Sequence, residues 1–450
     1  MTITNKLISI LLIALFISSC KDKVDFEEFS TEIRATFTTK DTVAKSLARN
    51  IPANVYAIYK SNNFQPIWID KNGTTEKAAK FLEELKTLPE EGITTGRYKL
   101  DDLNKHLEII KKDKGGMDIK SAVEFDKKIT IAYVQAANDL AYGILDPEEI
   151  TDMWYHDNDS SIQISDNIKD NKFPSLDIYR SKLSTYNALV TYRKTISTDS
   201  LKAVTDANLE RLRWLPQTFE DNYVIVVVPR MDMVLMEKGK AVKQMKAVVG
   251  QPERETPSLN ADMVHVVFNP SWGVPPGIMK KDVIPGLLSK GQAYLNKKGL
   301  KVYDRQGNEV NPNDVTEENY KRYVFRQEPS EKNALGQVKF DMPNPWAIYL
   351  HDTPTKGDFE KEERAKSSGC VRLNYPLDLA NYILTEMNDK DYDRKEIDSI
   401  VSNNETKYVK LKHRLPVHIV YLTAFDAGGD QPVFYKDIYN KDIQLAELLK

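Results

Sequence analysis

The chain has 450 residues, of which 41% are hydrophobic, and it is long enough for two substantial cores but too long for one typical domain. Its 66 acidic and 63 basic residues leave a formal charge of -3, so no bulk electrostatic field favours nucleic acid or an anionic bilayer surface. We therefore expect two domains and no nucleic-acid partner.

The first twenty residues have the layout of an export signal. Lys6 supplies a positive charge, residues 7–17 form an apolar run, and two serines lead to Cys20. An eleven-residue run rises only about 16 Å as a helix, which is too short to span a bilayer. Residues 17–20 resemble a bacterial lipobox, which implies cleavage before Cys20 and acylation of that cysteine. Residues 1–20 are thus expected to be a lipoprotein signal peptide; an ordinary secretory signal with an incidental cysteine is the alternative.

The cysteine content indicates one thiol that needs an explanation. The chain has two cysteines, Cys20 and Cys370, and a lipid on Cys20 would leave Cys370 without a disulfide partner. A lone thiol in an exported protein is exposed to oxidation. It is therefore expected to be either buried as a small apolar residue or used as a nucleophile.

The segments before residue 217 are predicted to be a tether and a scaffold. Residues 21–45 are polar and charged, which predicts a flexible tether. Residues 46–216 show apolar residues about every 3.6 positions, most clearly over 76–85, 127–142 and 177–196. This pattern predicts a helical scaffold domain with no evident chemistry of its own.

From residue 217 the chain changes to short β-branched runs, which are typical of strands. The predicted strands cover residues 223–228, 233–236, 242–249, 264–268, 346–350 and 417–422. Residues 274–345 are rich in Pro, Gly, Asn and charge, and so long an irregular stretch predicts an inserted lid, with one helical patch near 283–295. The expected fold class is α+β, with a mostly helical domain followed by a mostly β domain over 217–450.

A thiol nucleophile requires a base, a field that favours the thiolate, and donors for the oxyanion that forms on the attacked carbonyl. Gly369 allows a tight turn in which the Gly369 and Cys370 amides can point at one oxygen. Arg372 lies two residues further on the same face, where its charge is expected to lower the thiol pKa or bind a carboxylate; a surface ion pair is the alternative. Ser368 is a candidate for substrate binding, and a role of Ser367 and Ser368 in capping the turn is the alternative.

His351 is the candidate base. It follows the apolar run 346–350 and precedes Cys370 by nineteen residues, so it can project from a strand end into a site at the sheet edge. Tyr349 is on the same strand face and is expected to line the cleft, or alternatively to pack across strands. A single histidine or cysteine is usually inert. The combination of a strand-end histidine, a Gly-Cys turn and a following cation indicates a catalytic site.

Residues 351–372 resemble the signature of the L,D-transpeptidases with the YkuD catalytic fold, in which a His-x-Thr/Ser stretch precedes a Ser-(His/Ser)-Gly-Cys-(Val/Ile)-Arg stretch. Motifs of the larger, YcbB-like branch occur in the same order. They are Asn208-Leu-Glu-Arg-Leu-Arg-Trp-Leu-Pro216, Asn269-Pro-Ser-Trp-Gly-Val-Pro-Pro276, Asn333-Ala-Leu-Gly-Gln-Val-Lys-Phe340 and Ile348-Tyr-Leu-His-Asp-Thr-Pro354. The resemblance covers nearly the whole chain from about residue 45.

The resemblance implies a cysteine acyltransferase that acts on peptidoglycan. Cys370 would attack a donor stem tetrapeptide at its third residue, D-alanine would leave, and an amine of an acceptor stem would take over the thioester in a 3-3 crosslink. His351 would be the base, oriented by the backbone carbonyl of Asp352, where many family members have glycine. The further candidates for oxyanion or substrate contacts are Gly369, Ser368, Tyr349 and Arg372.

Two other functions stay open. A carboxypeptidase or endopeptidase would resolve the same thioester with water, and a catalytically silent wall-binding lipoprotein would need neither Cys370 nor His351. The remaining histidines lack metal-like spacing and no phosphate-binding glycine loop occurs, so we expect no metal and no cofactor. The expected partners are donor and acceptor stem peptides and, through lipid on Cys20, a membrane. We expect a monomer in the cell envelope, exposed to the periplasm.

Overall fold

The computed structural model describes residues 24–38, 41, 49–71, 73–74, 76–112, 117–156, 164–168, 173–389, 392–426 and 431–450. The expected signal peptide and Cys20 lie outside these residues. Two compact units are present, and their described residues fall within Met1–Thr87, Thr94–Ala136 and Gln163–Ser175 for the first and Leu88–Ile93, Ala137–Ile162 and Leu176–Lys450 for the second. Within the described residues, no helix has both the length and the apolar character that crossing a membrane requires.

The first unit is mostly helical. Its elements are α1 (Phe26–Ala35), α2 (Ile51–Ser61), β1 (Ile69–Asp70), β2 (Gly73–Thr74), α3 (Glu76–Leu85), α4 (Leu100–Lys112) and most of α5 (Ile119–Tyr142). Asp126 of α5 is buried and accepts hydrogen bonds from the Ile67 and Trp68 amides, at 3.0 and 2.7 Å, and from the Tyr59 hydroxyl at 2.6 Å. Burial raises the pKa of Asp126 to about 6. One carboxylate thereby joins α5 to α2 and to the segment before β1.

Part of the predicted tether at 21–45 is helical, which corrects that expectation. Asp25 caps α1 by accepting hydrogen bonds from two amides of the first turn, at 2.9 and 3.1 Å. Phe29 and Ile33 lie one turn apart and are buried. Two apolar side chains on one face and a good N-cap are sufficient to hold a short helix against a core. The helix was not predicted because the segment as a whole is polar.

The second unit contains the remaining strands and helices. The helices are α6 (Pro147–Ile150), α7 (Ser184–Arg193), α8 (Asp199–Arg213), α9 (Pro276–Ile278), α10 (Ile284–Lys290), α11 (Gln292–Lys298), α12 (Pro376–Thr385), α13 (Arg394–Ser402) and α14 (Asp442–Leu448). The strands are β3 (Trp154–Tyr155), β4 (Asn222–Val227), β5 (Asp232–Glu237), β6 (Lys240–Gly250), β7 (Ser258–Phe268), β8 (Trp272–Gly273), β9 (Leu300–Tyr303), β10 (Val324–Gln327), β11 (Val338–Asp341), β12 (Leu350–His351), β13 (Ala365–Ser367), β14 (Val371–Leu373), β15 (Lys407–Val420), β16 (Ala424–Phe425) and β17 (Val433–Phe434).

The main sheet closes on itself. Its strand order is β11-β12-β14-β6-β5-β4-β15-β7, and β11 also pairs with β7, while β3 and β13 pair at the margins. Buried aliphatic side chains from these strands, such as Val224, Val266 and Val417, form one core with α12. The predicted strands at 223–228, 233–236, 242–249, 264–268 and 417–422 all correspond to strands here. The mostly helical and mostly β parts confirm the α+β fold class.

The compact units divide the chain differently from the predicted boundary at residue 216. Helices α7 and α8 belong to the second unit, where Leu189 and Leu209 pack with Ile225 and Val420 of the sheet. The predicted periods at 76–85 and 127–142 correspond to α3 and α5.

The predicted helix at 177–196 is wrong in its first half, where only a 3-10 turn (Leu176–Tyr179) forms before α7. Ser181 Oγ accepts a hydrogen bond from the Leu183 amide at 3.4 Å. Serine side chains that bond the backbone in this way compete with helix formation.

Residues 274–345 are more ordered than an irregular lid. Residues 274–337, here called the inserted subdomain, contain α9 to α11, β9 and β10 and have their own apolar cluster, which includes Val283 and Phe325. Residues 338–341 form β11 within the main sheet, so the insertion ends earlier than predicted. Glycines and prolines between short elements concealed this order, because they interrupt the periodicity that predicts helices and strands.

Candidate active site

Two short parallel strands carry the candidate base and the candidate cation. The pairing of β12 with β14 places His351 beside Arg372. One step earlier, the Val371 amide donates a hydrogen bond to the Tyr349 carbonyl oxygen at 3.2 Å. Cys370, which precedes Val371, therefore lies next to Tyr349. The register alone brings four of the predicted site residues together.

The chain before His351 is a turn rather than the predicted strand 346–350. Asn344 Oδ1 accepts hydrogen bonds from two amides of the turn, at 3.2 and 3.0 Å, and its Nδ2 donates to two carbonyls at 2.6 Å. Ala347 takes a left-handed conformation with φ of 52°. Because the asparagine satisfies the backbone groups locally, strand pairing is confined to Leu350–His351.

Cys370 ends a turn that Ser367 stabilises. Ser367 Oγ donates to the Cys370 carbonyl oxygen at 2.5 Å and accepts from the Gly369 amide at 3.1 Å. Gly369 has φ of 118°, which side chains rarely tolerate, so the expected need for glycine is met. The Gly369 amide already donates to Ser367 Oγ, which contradicts the expectation that Gly369 supplies an oxyanion donor. Of the two predicted amides, that of Cys370 stays a candidate.

His351 is buried and is oriented by the backbone. Its Nδ1 hydrogen-bonds the Asp352 carbonyl oxygen, which is the contact that the family resemblance implies. In a neutral ring that donates from Nδ1, Nε2 is the nitrogen that accepts a proton. Burial lowers the pKa of His351 to about 3, and the charge of Arg372 acts in the same direction. The ring is therefore neutral near pH 7 and can act as a base.

The Asp352 side chain has a role that the sequence pattern did not indicate. Its carboxylate is buried, accepts a hydrogen bond from the Gln337 amide at 2.9 Å and pairs with Lys356. Gly336 has φ of 59° and packs so closely that a Cβ there would lie 2.3 Å from Asp352 Oδ2. Asp352 thus connects the turn around Gly336 to the backbone that orients His351.

The Cys370 thiol lies against the turn before the base. Its Sγ is 3.9 Å from the Ala347 carbonyl oxygen, and hydrogen bonds from the Tyr349 amide and hydroxyl favour the thiolate. The Tyr349 ring is edge-on to His351, with centroids 5.8 Å apart. Tyr349 therefore contacts both reacting groups, and because burial raises the pKa of its hydroxyl, that hydroxyl stays protonated and able to donate.

Burial affects the pKa of the Cys370 thiol more strongly than the neighbouring charges do. It raises the pKa of Cys370 to about 11, although Tyr349, Arg372 and Lys339 act to lower the pKa. Arg372 thus acts to lower the pKa of Cys370, as predicted, but burial raises that pKa by more. The resting site holds a thiol and a neutral imidazole rather than an ion pair, so His351 must take the proton as the sulfur attacks.

Arg372 is half-buried and only weakly paired. Its Nη1 is 3.7 Å from Asp358 Oδ2, and its buried Nε has no hydrogen-bond partner among the described residues. Burial lowers the pKa of Arg372, against the effect of Asp358. An ion pair is therefore present, as the alternative interpretation expected, but a donor is left over for an anionic ligand.

The candidate residues line one cavity of about 430 Å³. Those from the sequence-based set are Cys370, His351, Ser367, Ser368, Tyr349 and Arg372, and three further large side chains are Arg254, Trp272 and Trp346. Trp272 lies in the motif at 269–276, which was the available sequence signal for it. No local pattern marks Arg254 or Trp346.

Arg254 joins the inserted subdomain to the nucleophile turn. Its guanidinium donates to both carboxylate oxygens of Asp282, at 2.6 and 2.8 Å, and to Ser368 Oγ at 3.1 Å. Ser368 therefore has a protein partner at the cavity edge.

Across the described part of the chain, no group of three or more His, Cys, Asp or Glu residues is arranged to hold a metal ion.

Two regions of the chain match domains of known protein families. Residues 221–409 match the L,D-transpeptidase catalytic domain (YkuD), and residues 53–192 match a scaffold domain. A Haemophilus influenzae protein whose name assigns it to the L,D-transpeptidases is 31% identical over 245 residues, which are 54% of this chain and 49% of that protein. The chain thus spans about half the length of this curated relative.

Solved structures show weaker likeness. An L,D-transpeptidase from Mycobacterium smegmatis is 13% identical, with a TM-score of 0.23 over 46% of this chain and 61% of that chain. A mutant L,D-transpeptidase of Enterococcus faecium is 11% identical, with a TM-score of 0.23 over 50% and 65%. By these matches, the chain carries a scaffold domain over residues 53–192 followed by an L,D-transpeptidase (YkuD) catalytic domain over residues 221–409, an order that fits the YcbB-like architecture.

Proposed function

We propose that this protein is a peptidoglycan L,D-transpeptidase with Cys370 as nucleophile and His351 as base. The observation that carries the proposal is the shared cavity of about 430 Å³, which is lined by a neutral imidazole on β12 and by a thiol in the turn that leads into the neighbouring strand β14. A thiol beside a base and a cation suits acyl transfer from a peptide carbonyl. The stem peptides of peptidoglycan are the substrates that the matched catalytic domain suggests.

In the first half-reaction, Cys370 Sγ attacks the carbonyl of the third residue of the donor stem while His351 Nε2 accepts the thiol proton. The Cys370 amide and the Tyr349 hydroxyl are the candidate donors to the oxyanion. When the intermediate collapses, the C–N bond breaks and the imidazolium gives its proton to the departing amine of D-alanine. A thioester is left on Cys370, with Arg372 near the anionic groups of the reaction.

In the second half-reaction, an amine of an acceptor stem attacks the thioester carbon. The C–N bond forms, the C–S bond breaks, and the proton of the amine passes through His351 as the thiol is restored. The product is a 3-3 crosslink. Water in place of the amine would give the second candidate function, an L,D-carboxypeptidase or endopeptidase, which shares the first half-reaction.

The test uses peptidoglycan from a strain that expresses the protein, digested and analysed by mass spectrometry. We expect 3-3 crosslinked muropeptides with the wild type and none with Cys370→Ser, because a hydroxyl is a far poorer nucleophile than a thiolate. Stems that are trimmed but not crosslinked would identify a hydrolase. Crosslinking by Cys370→Ser at the wild-type rate would exclude the mechanism.

A covalent probe tests the nucleophile separately. A carbapenem presents a strained carbonyl and should add its mass once to the soluble fragment that begins after Cys20. The adduct should map to the peptide that contains residues 367–372 and should disappear in Cys370→Ser. An adduct on any other residue would exclude Cys370 as the acylated group.

We also propose that the protein is a lipoprotein anchored through Cys20 and exposed to the periplasm. The support is the apolar run at residues 7–17 followed by Ile17-Ser18-Ser19-Cys20. A fatty-acid analogue should label the wild type and not Cys20→Ala. Absence of label from the wild type would contradict the anchor and leave the catalytic proposal unaffected.

A further inference from the structure

A larger cavity, of about 800 Å³, adjoins the catalytic cavity. The two share lining residues, namely Trp272, Ile278, Lys281, Lys298, Ala334 and Arg372. The larger cavity is also lined by Thr353 to Thr355, which follow the base along the chain. A ligand in it would therefore reach Arg372, the strand neighbour of His351. We call this space the lysine cavity after the side chains described next.

The lysine cavity has a cationic lining. Its charged residues are Lys281, Lys297, Lys298, Lys332, Arg372 and a single carboxylate, Asp282. Asp282 is engaged by both guanidinium nitrogens of Arg254, which holds the pKa of Asp282 below its usual value. Lys281 and Lys298 also help to lower the pKa of Asp282, so this one carboxylate faces three cations. The cavity therefore has an excess of positive charge.

Exposed lysines often serve only solubility, but their arrangement here differs from a uniformly solvated surface. The four lysines come from three separate stretches, at 281, 297–298 and 332, and converge on one cavity. Acids of the same subdomain pair elsewhere, as Glu309 does with Lys301 at 3.2 Å and Glu328 with Arg326 at 2.7 Å. Because the acids pair elsewhere and the lysines face the cavity, the lysines create a local field that attracts anions.

We propose that the lysine cavity binds the acceptor and selects one that carries free carboxylates near its attacking amine. The preferred acceptor would be a stem with a diamino dicarboxylic acid, in preference to one with lysine or with amidated carboxyl groups. This inference rests on the proposed function and deepens it. The catalytic cavity holds the donor, and the lysine cavity delivers a second, acidic peptide to the same thioester.

The cationic lining assists the transfer chemistry in two ways. It raises the local concentration of an acidic acceptor, which favours the amine over water. Nearby ammonium groups also disfavour protonation of the acceptor amine, and only the neutral amine attacks. The neutral nitrogen then bonds to the thioester carbon, the C–S bond breaks, and the amine proton passes to His351 and on to the thiolate of Cys370.

The test separates transfer from acylation. The acyl-enzyme is formed on Cys370 with a donor tetrapeptide, and acceptors are added that differ only at the carboxyl group beside the amine: free acid, amide, or none. The wild type should use the free acid with about fivefold higher kcat/KM than the amide, as two exposed lysine–carboxylate contacts would give. The preference should fall in high salt, which screens such contacts.

The variant Lys297→Gln/Lys332→Gln should reduce the preference by about half or more, because it removes two of the four lysines of the lysine cavity, and neither of these two lines the catalytic cavity. Lys297→Arg/Lys332→Arg should retain it. Lys321→Gln is the matched control, since Lys321 is exposed in the same subdomain but lies outside the cavity.

Equal use of free-acid and amide acceptors by the wild type would overturn the inference, as would a preference that is unchanged in the double glutamine variant. In both cases an acyl-enzyme that still forms on Cys370 leaves the proposed function intact. Failure to form that acyl-enzyme would overturn the proposed function and this inference with it.

Discussion

Two groups of buried and half-buried ionisable side chains in the second unit differ in how their charges are paired. One consists of Glu91, Arg180, Tyr186, Glu210 and Arg213, and the other of His351, Tyr349, Cys370 and Arg372. In the first group, Glu91 accepts hydrogen bonds from Arg180 at 2.8 Å and Tyr186 at 2.6 Å, and Glu210 pairs with Arg213 at 3.2 Å. Two carboxylates thereby balance two guanidiniums.

The catalytic group is not balanced in this way. Arg372 is 3.7 Å from its carboxylate partner and has a buried Nε without a hydrogen bond among the described residues. Burial shifts pKa values in both groups, since it raises the pKa of Glu210 and lowers that of His351 to about 3. A shifted pKa alone therefore does not identify a catalytic site. The distinguishing features are an adjoining cavity and polar groups left available for a ligand.

The largest effect is expected for Glu210→Ala, which would leave the buried charge of Arg213 without its carboxylate partner. Loss of one member of a buried pair costs about 3–5 kcal/mol of unfolding free energy. Urea titration should show a lower midpoint, while the protein that stays folded acylates at the wild-type rate. The exposed pair of Asp398 with Arg394 supplies the control, and Asp398→Ala should change stability by less than about 1 kcal/mol. Equal stability of the two variants would contradict the comparison.

His351→Ala should act mainly on the rate of acylation, whereas Glu210→Ala acts on stability. Without a base to take the proton of a thiol whose pKa is about 11, carbapenem acylation of the folded protein should slow by about 10²-fold or more. The rate of adduct formation by mass spectrometry measures the effect. His413→Ala is a suitable control, because His413 does not line the catalytic cavity. Wild-type acylation in His351→Ala would exclude the role as base.

The reactivity of the thiol should depend steeply on pH. Since burial raises the pKa of Cys370 to about 11, the thiolate fraction should grow about tenfold per pH unit from pH 7 to 9. The rate of iodoacetamide alkylation in the soluble fragment should rise in proportion. A plateau already near pH 7 would instead indicate a preformed thiolate, and burial would not be the dominant effect.

The smallest effect is expected at the contact between Arg254 and Asp282, which is partly exposed to solvent. Asp282→Asn should slow acylation by about fivefold, because the inserted subdomain would lose a bidentate contact with the residue that also binds Ser368. The exchange Arg254→Asp/Asp282→Arg should recover part of that loss relative to Arg254→Asp alone. No recovery in the exchanged protein would mean that the ion pair itself does not hold this region in place.

Local patterns in the sequence predicted much of the architecture and the reacting residues. The periods at 76–85 and 127–142 and the β-branched runs from residue 223 onward depend on neighbours along the chain, and they correspond to helices and strands in the structure. The need for glycine at position 369 and the contact of His351 with the Asp352 carbonyl are also local. Helix α1 and the inserted subdomain were not recognised, because their apolar residues are few and interrupted.

The sequence by itself determined which groups are available for chemistry, whereas the tertiary structure decided their state and surroundings. Ser367 occupies the Gly369 amide, and burial outweighs the charge of Arg372 at the thiol. Arg254 contacts a serine 114 positions away, and lysines from three stretches converge on one cavity. Hydrogen bonding, burial and the summed field of charges depend on atoms brought together from distant parts of the chain, and for that reason no local pattern contains them.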